Sequence, residues 1–123
     1  QARLQEFHNG DYIFFEGEPA ADMHLILSGE VALEVSAGNL GLVAIDHLGA
    51  NEVIGKSALL PPYRYSLNAK AEAPTQVVIF SAEPIRARCE SDVRLGYDIM
   101  RRLALVASRR LVATRKCLLE QLS

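Results

Sequence analysis

Apolar residues along this chain fall into two regimes. From Asp11 to Phe80 they come in short runs broken by turn residues, the spacing of an all-β sandwich or roll. Tyr12-Ile13-Phe14-Phe15 follows the turn pair Asn9-Gly10 and stops at Glu16-Gly17. His24-Leu25-Ile26-Leu27 runs to the break Ser28-Gly29, after which Val31, Leu33 and Val35 alternate with Glu30, Ala32 and Glu34. That period of two turns one face of a strand inward. Gly38-Asn39-Leu40-Gly41 predicts a hairpin before Leu42-Val43-Ala44-Ile45. Leu67, Ala69 and Ala71 alternate with polar neighbours, and Gln76-Val77-Val78-Ile79-Phe80 closes the β part.

Near residue 82 the period changes to that of a helix. Ser81 is placed to cap it, with Pro84 in the first turn. From about Asp92 to Leu122, Met100, Leu103, Ala107, Leu111, Thr114 and Leu118 recur at spacings of three and four. These patterns predict a mainly β fold, a jelly-roll-like β-roll over about 7–81, followed by C-terminal helices over about 82–122. Together they form one domain of 123 residues, with the longest helix covering most of 95–120. An apolar stripe of that length outruns a small roll. It predicts a homodimer through this helix, the alternative being a stripe that packs wholly on the roll.

Composition narrows the function. Half the residues are apolar, enough to bury roughly two-thirds of the unfolded surface without staples. A net charge of −2 argues against a nucleic-acid surface. Of the thirteen basic residues nine are crowded into the last 38 positions: Arg86, Arg88, Arg94, Arg101, Arg102, Arg109, Arg110, Arg115 and Lys116. They read as the solvated face of a helix. Cys89 and Cys117 are too few and too far apart for a disulfide framework or zinc site and read as free thiols. His8, His24 and His47 are scattered without ligand spacing, so no metal is expected. No nucleophile elbow, Walker or dinucleotide fingerprint occurs, so the chain reads as non-catalytic. No apolar run is long enough to span a membrane and no signal peptide is present, which places it in the cytoplasm. Because it starts at Gln1, it reads as a segment of something longer, with an effector domain fused to it or partnering it.

Three blocks carry a resemblance. Gly10-Asp11-Tyr12-Ile13-Phe14-Phe15-Glu16-Gly17-Glu18 and the run from His24 through Ser28-Gly29-Glu30 to Leu33 are the first two. The third is Leu48-Gly49-Ala50-Asn51-Glu52-Val53-Ile54-Gly55-Lys56-Ser57-Ala58-Leu59-Leu60, and the pattern continues to the strand ending at Phe80. In this order and spacing, from Phe7 to about Leu111, they resemble the cyclic nucleotide-binding domain family, the β-roll of the catabolite activator protein and of the protein kinase A regulatory subunit. The resemblance implies a regulatory module whose cassette, here about 54–66, holds a cyclic nucleotide such as cAMP or cGMP. A short helix and an arginine would take the phosphate, and a glutamate the ribose 2′-hydroxyl. Amides at a helix start and a bidentate guanidinium suit an anion on physical grounds alone.

The ligand-binding positions implied are Gly55, Lys56, Ser57, Ala58, Leu59, Arg64, Tyr65 and Ser66, and two depart from the family's pattern. Lys56 stands where the family has glutamate, and a lysine cannot accept a hydrogen bond from a ribose. Counting ten on from Gly55, or six back from Ala71, places Tyr65 at the arginine's position, with Arg64 one residue earlier. A one-residue shift on a strand faces the opposite way, so Arg64 points out unless the loop Pro61-Pro62-Tyr63 absorbs the slip. Tyr65 then reads as a rim aromatic, and Asn51, replacing a glycine, as a residue that tolerates the left-handed region. The expectation is a domain whose binding of cAMP or cGMP is weakened or lost. The alternatives are retained binding through Arg64, an anionic ligand without a ribose, the sensor half of a transcription regulator, and a metal-free cupin-like structural module.

Overall fold

In the computed structural model, which describes residues 2–121, eight strands form two antiparallel sheets of four, followed by two helices. The first sheet contains β1 (Arg3–Phe7), β3 (Asp22–Ser28), β6 (Val53–Ile54) and β8 (Thr75–Ser81) in the order β1-β8-β3-β6. The second contains β2 (Tyr12–Phe14), β4 (Val31–Ser36), β5 (Leu42–Leu48) and β7 (Asn68–Ala71) in the order β2-β7-β4-β5. The mainly β roll expected from the alternation is therefore present. Thr75, Val77 and Ile79 of β8 and Val31 and Leu33 of β4 are buried, as their period of two requires. With Phe14, Met23, Ile26, Ile54 and Ala69 they fill the core.

The β4–β5 hairpin turns through Gly38–Leu40 and closes with Ala37 N–H donating to the Gly41 carbonyl. Asn51 lies at φ 72°, in the left-handed region its side chain tolerates. The period change near 82 is also real: α1 covers Glu83–Ser91 and α2 covers Val93–Gln121. Ser81 contributes to the start of α1, its Oγ accepting from the Glu83 N–H at 3.3 Å, although Ala82 is the residue at the cap itself. Asp92 breaks the two helices apart and caps the second, its Oδ1 accepting from Leu95 N–H at 3.1 Å. The expected end of the helix at Leu122 lies outside the described residues.

The buried stripe of α2 coincides with the expected one in part. Leu95, Gly96, Ile99, Leu103, Val106, Arg110, Ala113, Thr114, Cys117 and Leu118 are the half-buried positions, so Leu103, Thr114 and Leu118 of the expected stripe lie on the buried face. Ile99 and Leu103 pack on the core of the roll. Met100, Ala107 and Leu111 of the expected stripe are exposed, Leu111 at 72%, so the helix carries a second apolar row beside the one it buries. Gly96 permits the approach of α1: a Cβ there would lie 2.8 Å from the Cys89 carbonyl oxygen. Among the described residues no helix is long and apolar enough to cross a membrane.

Candidate functional site

The turn after β6 is built around Gly55, whose φ of 83° belongs to the left-handed region. A Cβ at Gly55 would meet the Asp22 carbonyl at 3.1 Å, His24 Nδ1 at 3.2 Å and the Tyr65 ring at 3.3 Å, so the backbone passes close to the core here. Lys56–Leu59 then form a short 3₁₀ turn, in which Ala58 and Leu59 are buried. The helix implied by the resemblance is thus a single tight turn. Arg86 of α1 holds it from outside, donating from Nη1 to the Ala58 carbonyl at 3.1 Å with its guanidinium 4.5 Å from the Tyr63 ring centre.

Lys56, Ser57 and Ser66 border an open cleft of about 330 Å³ between the roll and α2. Its other walls include Ile45 of β5, Leu67, and Leu103, Val106, Arg110 and Leu111 of α2. The two serine hydroxyls are 3.2 Å apart and hydrogen-bonded. Lys56 is half-buried, and its ammonium is held below the usual lysine range, first by desolvation and then by the charges of Arg110 and Arg109. Arg110 donates from Nε to Asp46 Oδ2 at 3.3 Å and has 23% of its side chain exposed.

Tyr65 does not sit on the rim. It is 7% exposed, its ring stacks on Phe14 at 3.9 Å, and its hydroxyl donates to the Asp22 carbonyl at 2.8 Å. Burial above all, with the nearby Asp22 carboxylate, pushes that hydroxyl up to about 12. The ring borders a crevice of about 20 Å³ behind the cleft, which Gly55, Phe14, Lys56, Ser57, Ser66 and Arg110 also line, and on its other side an open hollow of about 540 Å³ beside Asp22 and His24. The expectation of a rim aromatic is corrected. The slot between Phe14 and Asp22 admits a flat ring with one donor, and Tyr65 satisfies both.

Arg64 lies apart from the cleft. Its backbone bridges to Pro19 and its Nη1 donates to the Gly17 carbonyl at 2.8 Å, on the exposed side. The structure therefore brings Lys56, Ser57 and Ser66 together at the cleft, keeps Gly55 and Tyr65 behind it, places Ala58 and Leu59 in the core, and leaves Arg64 outside. Two residues escaped the sequence reading, Arg110 and Arg86. Both belong to the basic crowd read as solvated, yet both are half-buried, whereas the other seven are exposed as expected. A signal for Arg110 exists: it falls seven residues after Leu103 and four after Val106, on the face that α2 buries.

His24 is buried beside this site and tilted against Phe14 at 5.5 Å, and its Nδ1 makes no hydrogen bond. Desolvation holds its pKa down to about 4, so the ring is neutral at pH 7. Among the described residues no group of His, Cys, Asp and Glu could hold a metal ion.

Comparison with known proteins places this geometry. The family profile of the cyclic nucleotide-binding domain matches residues 4–92. Over 85 residues, 69% of this chain, the sequence is 30% identical to the "Putative potassium channel protein RPA4233" of Rhodopseudomonas palustris. The chain spans a fifth of that protein's length (20%). Among solved structures, a "Putative Cyclic nucleotide-binding protein" from Geobacter metallireducens GS-15 aligns with TM-score 0.71 and 28% identity, over 89% of this chain and 79% of that one. The sensor domain of the transcriptional regulator DNR from Pseudomonas aeruginosa aligns with TM-score 0.73 and 20% identity, over 89% of this chain and 74% of that one, a likeness of fold.

Proposed function

Because the chain belongs to the cyclic nucleotide-binding domain family, we propose that it is a non-catalytic sensor module, folded as one domain in the cytoplasm, whose response to cAMP and cGMP is weakened or lost. Occupancy of the cleft would be coupled to α2 and through it to an effector fused or bound to the module. The observation that supports this best is Tyr65. At the position where the family's pattern has an arginine, its ring is stacked on Phe14 and its hydroxyl is committed to the Asp22 carbonyl. Lys56 offers no acceptor to a ribose hydroxyl either. A hydrogen bond to a charged group is worth about 1.5–3 kcal/mol, so losing two costs about 3–6 kcal/mol and moves a micromolar site to the millimolar range or beyond.

The route to an effector has two supports. Arg86 ties the cassette turn to α1, and Lys56 and Arg110 place the roll and α2 on one cleft. The exposed row of Val93, Tyr97, Met100 and Leu111 suits a second copy of the helix, and Leu111 also borders the cleft. The likeness to stretches of an ion-channel protein and of a transcription regulator fits a module built into larger chains. Calorimetric titration with cAMP, cGMP and cyclic dinucleotides tests the reading. Millimolar affinity or no heat is the expected outcome for cAMP and cGMP, and micromolar affinity for either overturns the weakened response.

A further inference from the structure

The cleft is chemically lopsided. One end carries Lys56, Arg110 and the paired hydroxyls of Ser57 and Ser66; nearly all the rest of its wall is aliphatic, from Ile45, Leu67, Leu103 and Val106 among others. Taking the cleft to be the sensing site, as proposed above, we infer that it accepts a small amphiphilic carboxylate. The head group lies between Lys56 and Arg110, and the hydrocarbon body lies against the aliphatic wall.

Three observations converge on this ligand class. No aromatic side chain lines the cleft, so a purine finds no stacking partner there. Its few hydroxyls cannot satisfy the polar edge of a sugar and base, and polar atoms buried against aliphatic side chains without partners are penalised. A hydrocarbon body avoids that penalty and gains from burial. A volume of about 330 Å³ lies in the range of small-molecule sites, which are mostly apolar with a few placed polar groups.

The charged end is suited to a carboxylate. Asp46 engages Arg110 through Nε only, and among the described residues the terminal guanidinium nitrogens make no other hydrogen bond. Their N–H groups form a planar fork that matches two carboxylate oxygens. Lys56 adds a point charge from the opposite wall, and its neighbours Arg109 and Arg110 outweigh the attraction it receives from Glu52 and Asp46. An anion placed between these cations relieves their repulsion. The serine hydroxyls can rotate to donate to the same head group.

The test is calorimetric titration of the whole chain with sodium octanoate, with 1-octanol as its uncharged counterpart, and with cAMP. Octanoate is expected to bind saturably at one site, with 1-octanol about tenfold weaker or more, the effect of losing one charged hydrogen bond. Lys56→Gln and Arg110→Gln should each weaken octanoate about tenfold and leave 1-octanol unchanged. Thermal melts of both variants verify their folding, and the octanoate-to-octanol ratio of the unaltered chain decides the matter if a variant fails to fold. Equal affinity for octanoate and 1-octanol, or no octanoate binding at millimolar concentration, overturns the inference. The cAMP arm separates the two readings. Micromolar cAMP binding beside charge-dependent octanoate binding overturns only the weakened nucleotide response. Absence of both ligands overturns only the carboxylate.

Discussion

Replacing Tyr65 tests whether this position serves the core or the cleft. The ring is 7% exposed and stacked at 3.9 Å on Phe14, and the hydroxyl donates at 2.8 Å to the Asp22 carbonyl. Tyr65→Phe keeps the stack and removes the donor, an expected loss of about 1 kcal/mol, or roughly 3–6 °C in melting temperature for a chain of this size. Tyr65→Arg is far more severe. The guanidinium enters a slot whose nearest carboxylate, Asp22, is already 3.9 Å from Arg3, so a charge is buried without a dedicated partner. A loss of more than about 3 kcal/mol is expected. By contrast Arg64→Ala, one residue earlier, removes an exposed bond to the Gly17 carbonyl and should cost less than about 1 kcal/mol. Urea unfolding followed by circular dichroism measures all three, with the slope on denaturant unchanged if two-state behaviour holds. Tyr65→Arg unfolding within about 0.5 kcal/mol of the parent would refute the reasoning, because it would show that position 65 can turn to the cleft at little cost. The same result would reopen the cassette to cAMP, most of all in combination with Lys56→Glu.

Other consequences are as direct. His24 has its pKa depressed to about 4 against about 6.5 unfolded, so the unfolded chain takes up its proton first as pH falls. The stability lost between pH 6.5 and 4 amounts to as much as about 3 kcal/mol; in His24→Leu that portion of the acid slope should vanish, and an unchanged slope would count against the burial argument. Gly96→Ala brings a methyl group to 2.8 Å from the Cys89 carbonyl and should cost about 1–3 kcal/mol as α1 and α2 separate, whereas a neutral effect in thermal melts would contradict the close packing. Leu111→Glu should convert a dimer to monomer in sedimentation, and an unaltered chain that is already monomeric at high micromolar concentration would reject the helix seam.

The roll was legible in the sequence because its signals are local. Val31 and Leu33 alternate with polar or small residues, and glycines close the turns, so face and turn follow without knowledge of any distant partner. The first strand, Arg3–Phe7, was not legible. It is an edge strand, with Arg3, Leu4, Gln5 and Glu6 all exposed, held by backbone pairing to β8, which leaves no periodicity in its side chains. The switch to helix was clear, but the buried face of α2 was legible only in part: Leu103, Thr114 and Leu118 lie on it, whereas Met100, Ala107 and Leu111 do not. Apolar residues cover more than one side of that helix, and only contact with the roll selects among them. The burial of Tyr65 depends on Phe14 and Asp22, which lie 51 and 43 positions away, and no local pattern could announce it.

On the proposed function, the same long-range pairing changes where the cleft keeps its positive charge. In the pattern that this chain resembles, the arginine that meets the ligand belongs to the cassette, so the contact is internal to the roll. Here Tyr65 is buried against Phe14, and the guanidinium bordering the cleft is Arg110, carried by α2 and steadied by Asp46 of β5. An anion between Lys56 and Arg110 therefore touches the roll and the helix at once. A ligand shifts a conformational equilibrium only by the difference in its affinity for the two states. Contacts within the roll alone would discriminate weakly between two positions of the helix. If α2 moves as proposed, a guanidinium on it would discriminate directly, because its bond to the ligand would exist in one position and be lost in the other. On the proposed function, a positive charge carried by the helix rather than the cassette would thus weaken the case for a cyclic nucleotide while strengthening the link between occupancy and α2.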